Sequence, residues 1–220
     1  MELKNVIFDM DGVIFDSERL YIECNKEVAA RHGITDMQLI EDVSKKCIGV
    51  TSTETRRIMR ECLGDDFPLE AVWSEASKLF GEKADNGKLP VKPGVNEILQ
   101  FLKDRGVRTA IASSTKTEIV KKELRNAGLI DYFDEIVGGD MIKRSKPEPD
   151  SFLTAAESLG VKAEECYIIE DSFNGIRAAK ASGGFPIMVP DILQPDDEIK
   201  EKAGIILDSL LEVIKYFEQL

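Results

Sequence analysis

Two carboxylates, Asp9 and Asp11, directly follow a short apolar run at residues 5–8. If that run is a β-strand, both side chains lie at its carboxyl end and point the same way, because side chains alternate along a strand. Two acids this close repel each other, which favours a bound cation or a raised pKa. An ordinary turn through Asp11 and Gly12 would require neither, since Asp and Gly are common turn residues.

A second acidic pair, Glu170 and Asp171, follows the apolar run at residues 166–169. If both runs belong to one parallel sheet, four acids meet at one edge and need a counter-charge. Mg²⁺ prefers oxygen ligands and keeps positions for water and phosphate, so it is the cation that this arrangement predicts. The alternative is that Asp171 and Ser172 only cap the next helix.

Two further predicted strands end in residues that suit an anion. Ser113 and Ser114 follow residues 107–112, and their hydroxyls and backbone N–H groups precede a helix, where they could hold a phosphate or only cap the helix. Lys146 lies in the loop beyond residues 135–137 and could neutralise a carboxylate or a phosphoryl oxygen. The alternative for Lys146 is an ordinary solvated surface charge.

The elements that would position these residues are short Val- and Ile-rich runs alternating with helical patterns. The predicted strands are residues 5–8, 107–112, 135–137, 166–169, 186–189 and 204–207. The predicted helices between them lie near residues 95–105, 116–127, 149–159, 174–182 and 208–218. This alternation predicts an α/β fold with a doubly wound, Rossmann-like parallel sheet, whose active site lies beyond the carboxyl ends of the strands.

Residues 17–88 have a different pattern, with helical periodicity and no strand-like run. The predicted helices are residues 20–31, 37–46, 53–63 and 69–82. We therefore expect an all-helical cap domain at 17–88, inserted into an α/β core formed by residues 1–16 and 89–220. The cap could open and close over the strand ends, or its helices could pack permanently on the core.

Taken in order, the Asp-x-Asp pair, the serine, the lysine and the Glu-Asp pair resemble the haloacid dehalogenase superfamily of phosphoryl-transfer enzymes. The resemblance covers the whole chain, because the helical insert is similar to the cap of the subfamily that contains β-phosphoglucomutase and small-molecule phosphatases. Removal of halide is disfavoured, since the extra carboxylates suit a metal-dependent phosphate site.

The resemblance implies that Asp9 is the nucleophile, which forms an aspartyl-phosphate, and that Asp11 is the general acid and base. It implies that Ser113 and Lys146 bind the transferring phosphoryl group, with Ser114 as a further candidate. It also implies that Mg²⁺ is held by Asp9, the Asp11 carbonyl, Glu170 and Asp171. A cation and a lysine would offset the repulsion between an attacking carboxylate and a phosphate dianion.

Two positions in the insert bear on the reaction. Mutase-like sequences carry a histidine ten residues beyond the second motif aspartate, where this chain has Tyr21, and a cap-loop arginine near the position of Ser52. Arg56 and Arg57 could reach a second phosphate, although exposed helix charges are the alternative. The sequence therefore favours hydrolysis of a small phosphomonoester such as a sugar phosphate, with β-phosphoglucomutase activity as the alternative.

Two other classes of protein compete with this interpretation. A receiver domain of a signalling protein also uses Asp, Ser or Thr, Lys and Mg²⁺, but its phosphorylated aspartate normally follows the third strand. Here Asp9 follows the first predicted strand, and a helical insert comes next. An inactive binding module would be expected to lack a motif residue, and this chain has all of them.

Composition narrows the remaining possibilities. With 41 acidic and 29 basic residues the formal charge is −12, so we expect no nucleic-acid or membrane partner and only a small phosphorylated metabolite. A single histidine, His32, excludes zinc sites built on several histidines. The scattered Cys24, Cys47, Cys62 and Cys166 indicate free thiols. We expect a monomeric, cytoplasmic protein without a signal peptide or membrane span.

Overall fold

A parallel β-sheet lies at the centre of the computed structural model, which describes residues 2–49, 52–85 and 89–220. The strands within these residues are β1 (Asn5–Phe8), β2 (Arg108–Ala112), β3 (Glu135–Val137), β4 (Tyr167–Glu170), β5 (Phe185–Met188) and β6 (Ile205–Ile206). They lie in the order β3-β2-β1-β4-β5-β6, and every neighbouring pair is parallel. The predicted α/β fold is confirmed, with strand ends shifted by at most one residue.

The α-helices in the described part of the chain follow the predicted pattern closely. They are α1 (Ser17–Arg31), α2 (Met37–Lys46), α3 (Ser52–Leu63), α4 (Leu69–Ala84), α5 (Val95–Asp104), α6 (Thr117–Asn126), α7 (Asp150–Ser158), α8 (Phe173–Ser182), α9 (Asp197–Lys202) and α10 (Leu210–Phe217). Helix α9 was not predicted from the sequence. This short helix is mostly charged, and only Ile199 of it is buried.

Both faces of the sheet are covered by helices, which explains why its central strands are apolar throughout. Val6 and Phe8 of β1 pack on one face with residues of α5, α6 and α10. Ile7 points to the other face, where it packs with residues of α7 and α8. The strand β1 is buried along its whole length between β2 and β4, so whatever follows it is held in a fixed position.

Helices α1 to α4 lie between β1 and α5 in the chain and pack against one another. Cys24 and Val28 of α1 pack against Val72 and Ala76 of α4 in a small apolar core. A second small core joins α2, α3 and the start of α4. The division into a core and a cap stays a prediction, and its proposed boundary at residue 88 lies outside the described residues.

The two connections between these helices and the sheet run side by side. Phe15 and Val91 form an antiparallel bridge, and the Asp16 N–H donates to the Pro90 carbonyl at 2.9 Å. The Lys92 N–H donates to the Ile14 carbonyl, also at 2.9 Å. This short ribbon joins the insert to the core.

The cysteines agree with a further expectation. All four cysteines are free thiols, of which Cys24 and Cys166 are buried. Among the described residues, no helix combines enough length with enough apolar character to cross a lipid bilayer.

Candidate active site

The carboxyl ends of three adjacent strands bring most of the predicted site residues to one edge of the sheet. Asp9 follows β1, Ser113 follows β2, and Asp171 follows β4. Glu170 is the last residue of β4 rather than the first residue after it, which corrects the predicted strand end by one position. The strand order reverses between β1 and β4, and such switch points are where ligands bind in open α/β sheets.

Lys146 is the residue whose placement the sequence could not decide, and the structure buries it in this edge. Its Nζ donates to Asp9 Oδ1 at 2.5 Å, to Glu170 Oε1 at 2.7 Å and to the Ala112 carbonyl at 3.3 Å. The ammonium group also lies 4.7 Å from the centre of the Phe152 ring. Only 7% of the side chain is exposed, so the alternative of a solvated surface charge is wrong.

The charge on Lys146 is stable despite its burial. Burial alone would lower the pKa of the ammonium group, but the carboxylates of Asp9 and Glu170 more than offset this and raise the pKa. Lys146 is therefore a cation throughout the physiological range.

Glu170 is held rigidly by the backbone that follows it. Its Oε2 accepts hydrogen bonds from the Asp171 and Ser172 N–H groups at 2.8 Å and from Ser172 Oγ at 3.0 Å. Gly175 makes room for the carboxylate, because a Cβ there would lie 1.6 Å from Glu170 Oε1. Ser172 is also the N-cap of α8, accepting from the Gly175 N–H at 3.0 Å, so capping is the role of Ser172 and leaves Asp171 for the site.

The three buried acids fit a hard divalent cation. Asp9, Glu170 and Asp171 each offer a carboxylate oxygen, and these oxygens lie within 4.8 Å of one another. Burial raises the pKa of Asp9 to about 7 despite the Lys146 charge, and burial together with Glu170 and Asp9 raises the pKa of Asp171 well above its ordinary value. One ammonium group therefore does not balance three carboxylates, and an all-oxygen donor set of this kind suits Mg²⁺.

Asp11 is held separately from that acid cluster, by one residue of the insert and one of the core. Its Oδ1 accepts from Ser17 Oγ on α1 at 2.7 Å, and its Oδ2 accepts from Thr115 Oγ1 at 3.1 Å. The loop that carries it is closed by the Gly12 N–H, which donates to the Phe15 carbonyl at 2.9 Å. The orientation of Asp11 therefore depends on how α1 lies on the core.

The two predicted phosphate-binding serines differ in their surroundings. Ser113 is fully buried, its N–H donates to the Val137 carbonyl at 3.0 Å, and its Oγ accepts from the Thr115 N–H at 3.0 Å. Ser114 is exposed on the bend that precedes α6. Ser113 is therefore bonded to Thr115, one of the two residues that hold Asp11.

Two acids near the site were not predicted from the sequence. Burial and the charges of Asp11 and Asp9 raise the pKa of Glu18, in the first turn of α1, to about 8. Burial and Asp11 likewise raise the pKa of Glu123, on α6, to about 7. An acid in the first turn of a helix ordinarily needs no explanation beyond the helix dipole, so no local pattern indicates the raised pKa of Glu18.

The insert residues that bear on mutase activity have other partners. Arg57 pairs with Glu54 at 2.6 Å and with Glu61 at 2.5 Å. Arg56 pairs with Glu70 at 3.3 Å and lies 4.7 Å from the centre of the Trp73 ring. Tyr21 lies half-buried on α1 with its ring edge-on to Phe80 at 5.9 Å. Two residues of the loop before Ser52, at positions 50 and 51, lie outside the described residues.

Comparison with known proteins agrees with this geometry. A family model described as haloacid dehalogenase-like hydrolase matches residues 6–189. The chain is 37% identical over 185 residues to the phosphorylated carbohydrates phosphatase of Thermotoga maritima, and the alignment covers 82% of each chain. It is 28% identical over 221 residues to the β-phosphoglucomutase of Bacillus subtilis, which covers 96% of this chain and 95% of that one.

A solved structure extends the likeness to three dimensions. CbbY from Rhodobacter sphaeroides, in complex with phosphate, superposes on the chain with a TM-score of 0.76 at 28% identity. The superposition covers 96% of each chain, so the likeness includes the helical insert as well as the sheet.

The first prediction concerns the contact between Gly12 and Asp171. Gly12 has φ +82°, and a Cβ there would lie 2.1 Å from Asp171 Oδ2. Gly33 has φ +80° and nothing within 4 Å of a Cβ, so it is the matched control. In urea unfolding we expect Gly33→Ala to lower the free energy of unfolding by about 1 kcal/mol through backbone strain. Gly12→Ala should lower the free energy of unfolding by at least about 1 kcal/mol more than Gly33→Ala does, because Asp171 must move. An equal decrease in the two variants would contradict the contact between Gly12 and Asp171.

The second prediction follows from the raised pKa of Glu18. Between its ordinary value of 4.5 and about 8, the folded chain keeps a proton that the unfolded chain has released, so stability falls as pH rises. Glu18→Gln removes this dependence. As pH rises across this range, we expect the free energy of unfolding of the variant to increase relative to that of the wild type by up to about 1.4 kcal/mol per pH unit.

Urea unfolding of both proteins at about pH 5.5 and 7.5 measures this gain. The matched control is Glu54→Gln, because Glu54 pairs with Arg57 on the surface and its pKa is lowered. A stability difference between Glu18→Gln and wild type that is the same at both pH values would show that Glu18 titrates normally.

Proposed function

The chain belongs to the haloacid dehalogenase-like hydrolase family, and we propose that it is a Mg²⁺-dependent phosphatase of a small phosphomonoester, with sugar phosphates as the substrate class. The observation that carries this proposal is the buried ion-paired group of Asp9, Lys146 and Glu170 beside Asp171. The phosphorylated carbohydrates phosphatase of Thermotoga maritima, with its 37% identity, supports the choice of substrate.

We assign Asp9 as the nucleophile. One of its carboxylate oxygens forms a bond to phosphorus while the bond from phosphorus to the ester oxygen breaks. The electron pair of that bond passes to the ester oxygen, which takes a proton from the Asp11 carboxyl group, and a neutral alcohol leaves. The products of this half-reaction are the alcohol and an aspartyl-phosphate.

In the second half-reaction we assign Asp11 as the base. A water molecule attacks phosphorus, its proton passes to the Asp11 carboxylate, and the bond from phosphorus to the Asp9 oxygen breaks. Inorganic phosphate leaves and both carboxyl groups return to their starting states. Asp11 suits both tasks because the neutral hydroxyl groups of Ser17 and Thr115 hold its carboxyl group in place.

The remaining assigned residues bind the phosphoryl group or offset its negative charge. Lys146 stabilises the phosphoryl oxygens and holds Asp9 in place, and buried Ser113 and exposed Ser114 bind the phosphoryl group at the start of α6. Mg²⁺, when bound, would be held by Asp9, the Asp11 carbonyl, Glu170 and Asp171 and would offset the negative charge that builds up on phosphate.

We also assign residues 17–88 as a cap over this site and residues 1–16 and 89–220 as the core. Ser17 bonds Asp11 from the first turn of α1, and Asn174 Nδ2 donates to the Gly49 carbonyl of the insert at 2.5 Å. Both contacts join the insert to the carboxyl edge of the sheet. The monomeric state and the cytoplasmic location stay predictions.

The third prediction tests the nucleophile. Asp9→Asn keeps the size of the side chain and removes its negative charge, so we expect kcat for p-nitrophenyl phosphate with Mg²⁺ to fall by at least about 10³-fold. The matched control, Asp197→Asn, removes an equal charge from an exposed side chain on α9 and should leave kcat unchanged. Full activity of Asp9→Asn, with folding and Mg²⁺ binding intact, would exclude Asp9 as the nucleophile.

β-Phosphoglucomutase activity is the second candidate function, because the mutase of Bacillus subtilis aligns over 96% of this chain. A mutase must retain and reorient a doubly phosphorylated intermediate. The pairing of Arg56 with Glu70 and of Arg57 with Glu54 and Glu61, together with Tyr21 on α1, favours hydrolysis.

The fourth prediction separates the two functions. In a time course with β-glucose 1-phosphate and Mg²⁺, we expect inorganic phosphate to appear together with glucose. The same reaction with excess EDTA should release no phosphate. Glucose 6-phosphate accumulating without free phosphate would instead establish the mutase.

A further inference from the structure

Asp191 joins the two connections between the helical insert and the core. It lies beyond the carboxyl end of β5, and 4% of its side chain is exposed. Its Oδ1 accepts a hydrogen bond from Arg19 at 2.6 Å and forms an ion pair with Lys92 at 2.6 Å. Arg19 lies in the first turn of α1, and Lys92 lies on the returning connection, so one core carboxylate holds both.

The same segment positions Asp11. Arg19 is two residues beyond Ser17, whose hydroxyl donates to Asp11 Oδ1 at 2.7 Å. A helical turn is rigid on this scale, because its backbone hydrogen bonds fix each residue relative to the next. Fixing Arg19 against the core therefore also fixes the hydroxyl that orients Asp11.

The Asp191 carboxylate is not arranged for stability alone. Both cations share Oδ1, while Oδ2 is buried and has no hydrogen-bond partner among the described residues. Leaving a buried carboxylate oxygen unpaired costs free energy. A residue kept in this state is better explained by what it holds in place than by the ion pairs themselves.

We propose that Asp191 is a positioning residue, which holds α1 through Arg19 and the returning connection through Lys92, and thereby keeps Asp11 where it can protonate the leaving alcohol. The inference rests on the proposed phosphatase function. Asp191 would be a further functional residue, and it lies outside the Asp-x-Asp, serine, lysine and Glu-Asp motifs.

The test uses two substrates that differ in their need for an acid. Glucose 6-phosphate must release an alcohol, which requires a proton from Asp11, whereas p-nitrophenyl phosphate releases a stable phenolate that does not. We expect Asp191→Asn to lower kcat/KM for glucose 6-phosphate by about tenfold or more, as for a misplaced general acid. For p-nitrophenyl phosphate kcat/KM should change by no more than about twofold.

A residue with only a structural role would behave differently. It would lower kcat/KM for both substrates by the same factor, because fewer molecules would be folded, and that outcome would overturn the proposal. So would an unchanged kcat/KM for both substrates. Asp197→Asn, which removes a surface charge paired with Lys200, is the matched control and should change neither value.

Amide hydrogen exchange provides a readout that does not depend on catalysis. We expect amide hydrogens in residues 12–19 and 89–92 to exchange faster in Asp191→Asn than in the wild type, while exchange in the sheet is unchanged. Unchanged exchange in both connections would overturn the proposal.

If Asp191→Asn does not fold, Arg19→Gln replaces it, since the side chain of Arg19 is half exposed. The same selective loss of kcat/KM for glucose 6-phosphate is expected for that variant. A wild-type protein that hydrolyses neither substrate would refute the phosphatase function, while the exchange result would still decide whether Asp191 holds the connections.

Discussion

The buried ammonium group of Lys146 is the interaction on which the site depends. The sheet brings Asp9, Glu170 and Asp171 to one edge, where burial and mutual repulsion would otherwise protonate them or force them apart. Lys146 bonds two of these acids at 2.5 and 2.7 Å, and the backbone after β4 fixes Glu170 from the other side. A pocket that receives phosphate can therefore exist in a chain whose net charge is −12, because the local field and not the total charge decides what binds.

A second constraint is that the insert and the core share one side chain. Asp11 is oriented by Ser17 of the insert and Thr115 of the core, so its position depends on how these two parts lie against each other. The antiparallel ribbon and the ion pairs of Asp191 join the parts close to that shared residue. This arrangement connects Asp11, the proposed acid and base, to the same segment that carries the helical insert.

Much of the fold and of the site could be predicted because the information is local. Short apolar runs bounded by turn residues predict the strands. The residue that follows each strand must lie at the edge of the sheet, and this predicted the positions of Asp9, Ser113 and Asp171. The burial of Lys146 could not be predicted, because it depends on the path of a long loop that local pattern does not specify. The ion pair of Arg19 with Asp191 joins residues 172 positions apart, which no local pattern reveals. Helix α9 was missed because a single buried residue, Ile199, produces no periodicity.

Detection of the covalent intermediate is the sharpest test of Asp9 as the nucleophile. The protein, mixed with p-nitrophenyl phosphate and Mg²⁺ and quenched in acid during turnover, is digested and its peptides are weighed by mass spectrometry. We expect one added phosphoryl group on the peptide that contains Asp9, disappearing once substrate is exhausted and absent from Asp9→Asn. Turnover without any phosphorylated peptide, or a phosphoryl group on a peptide that lacks Asp9, would contradict the assignment of Asp9 and with it the role of Lys146 in holding the nucleophile.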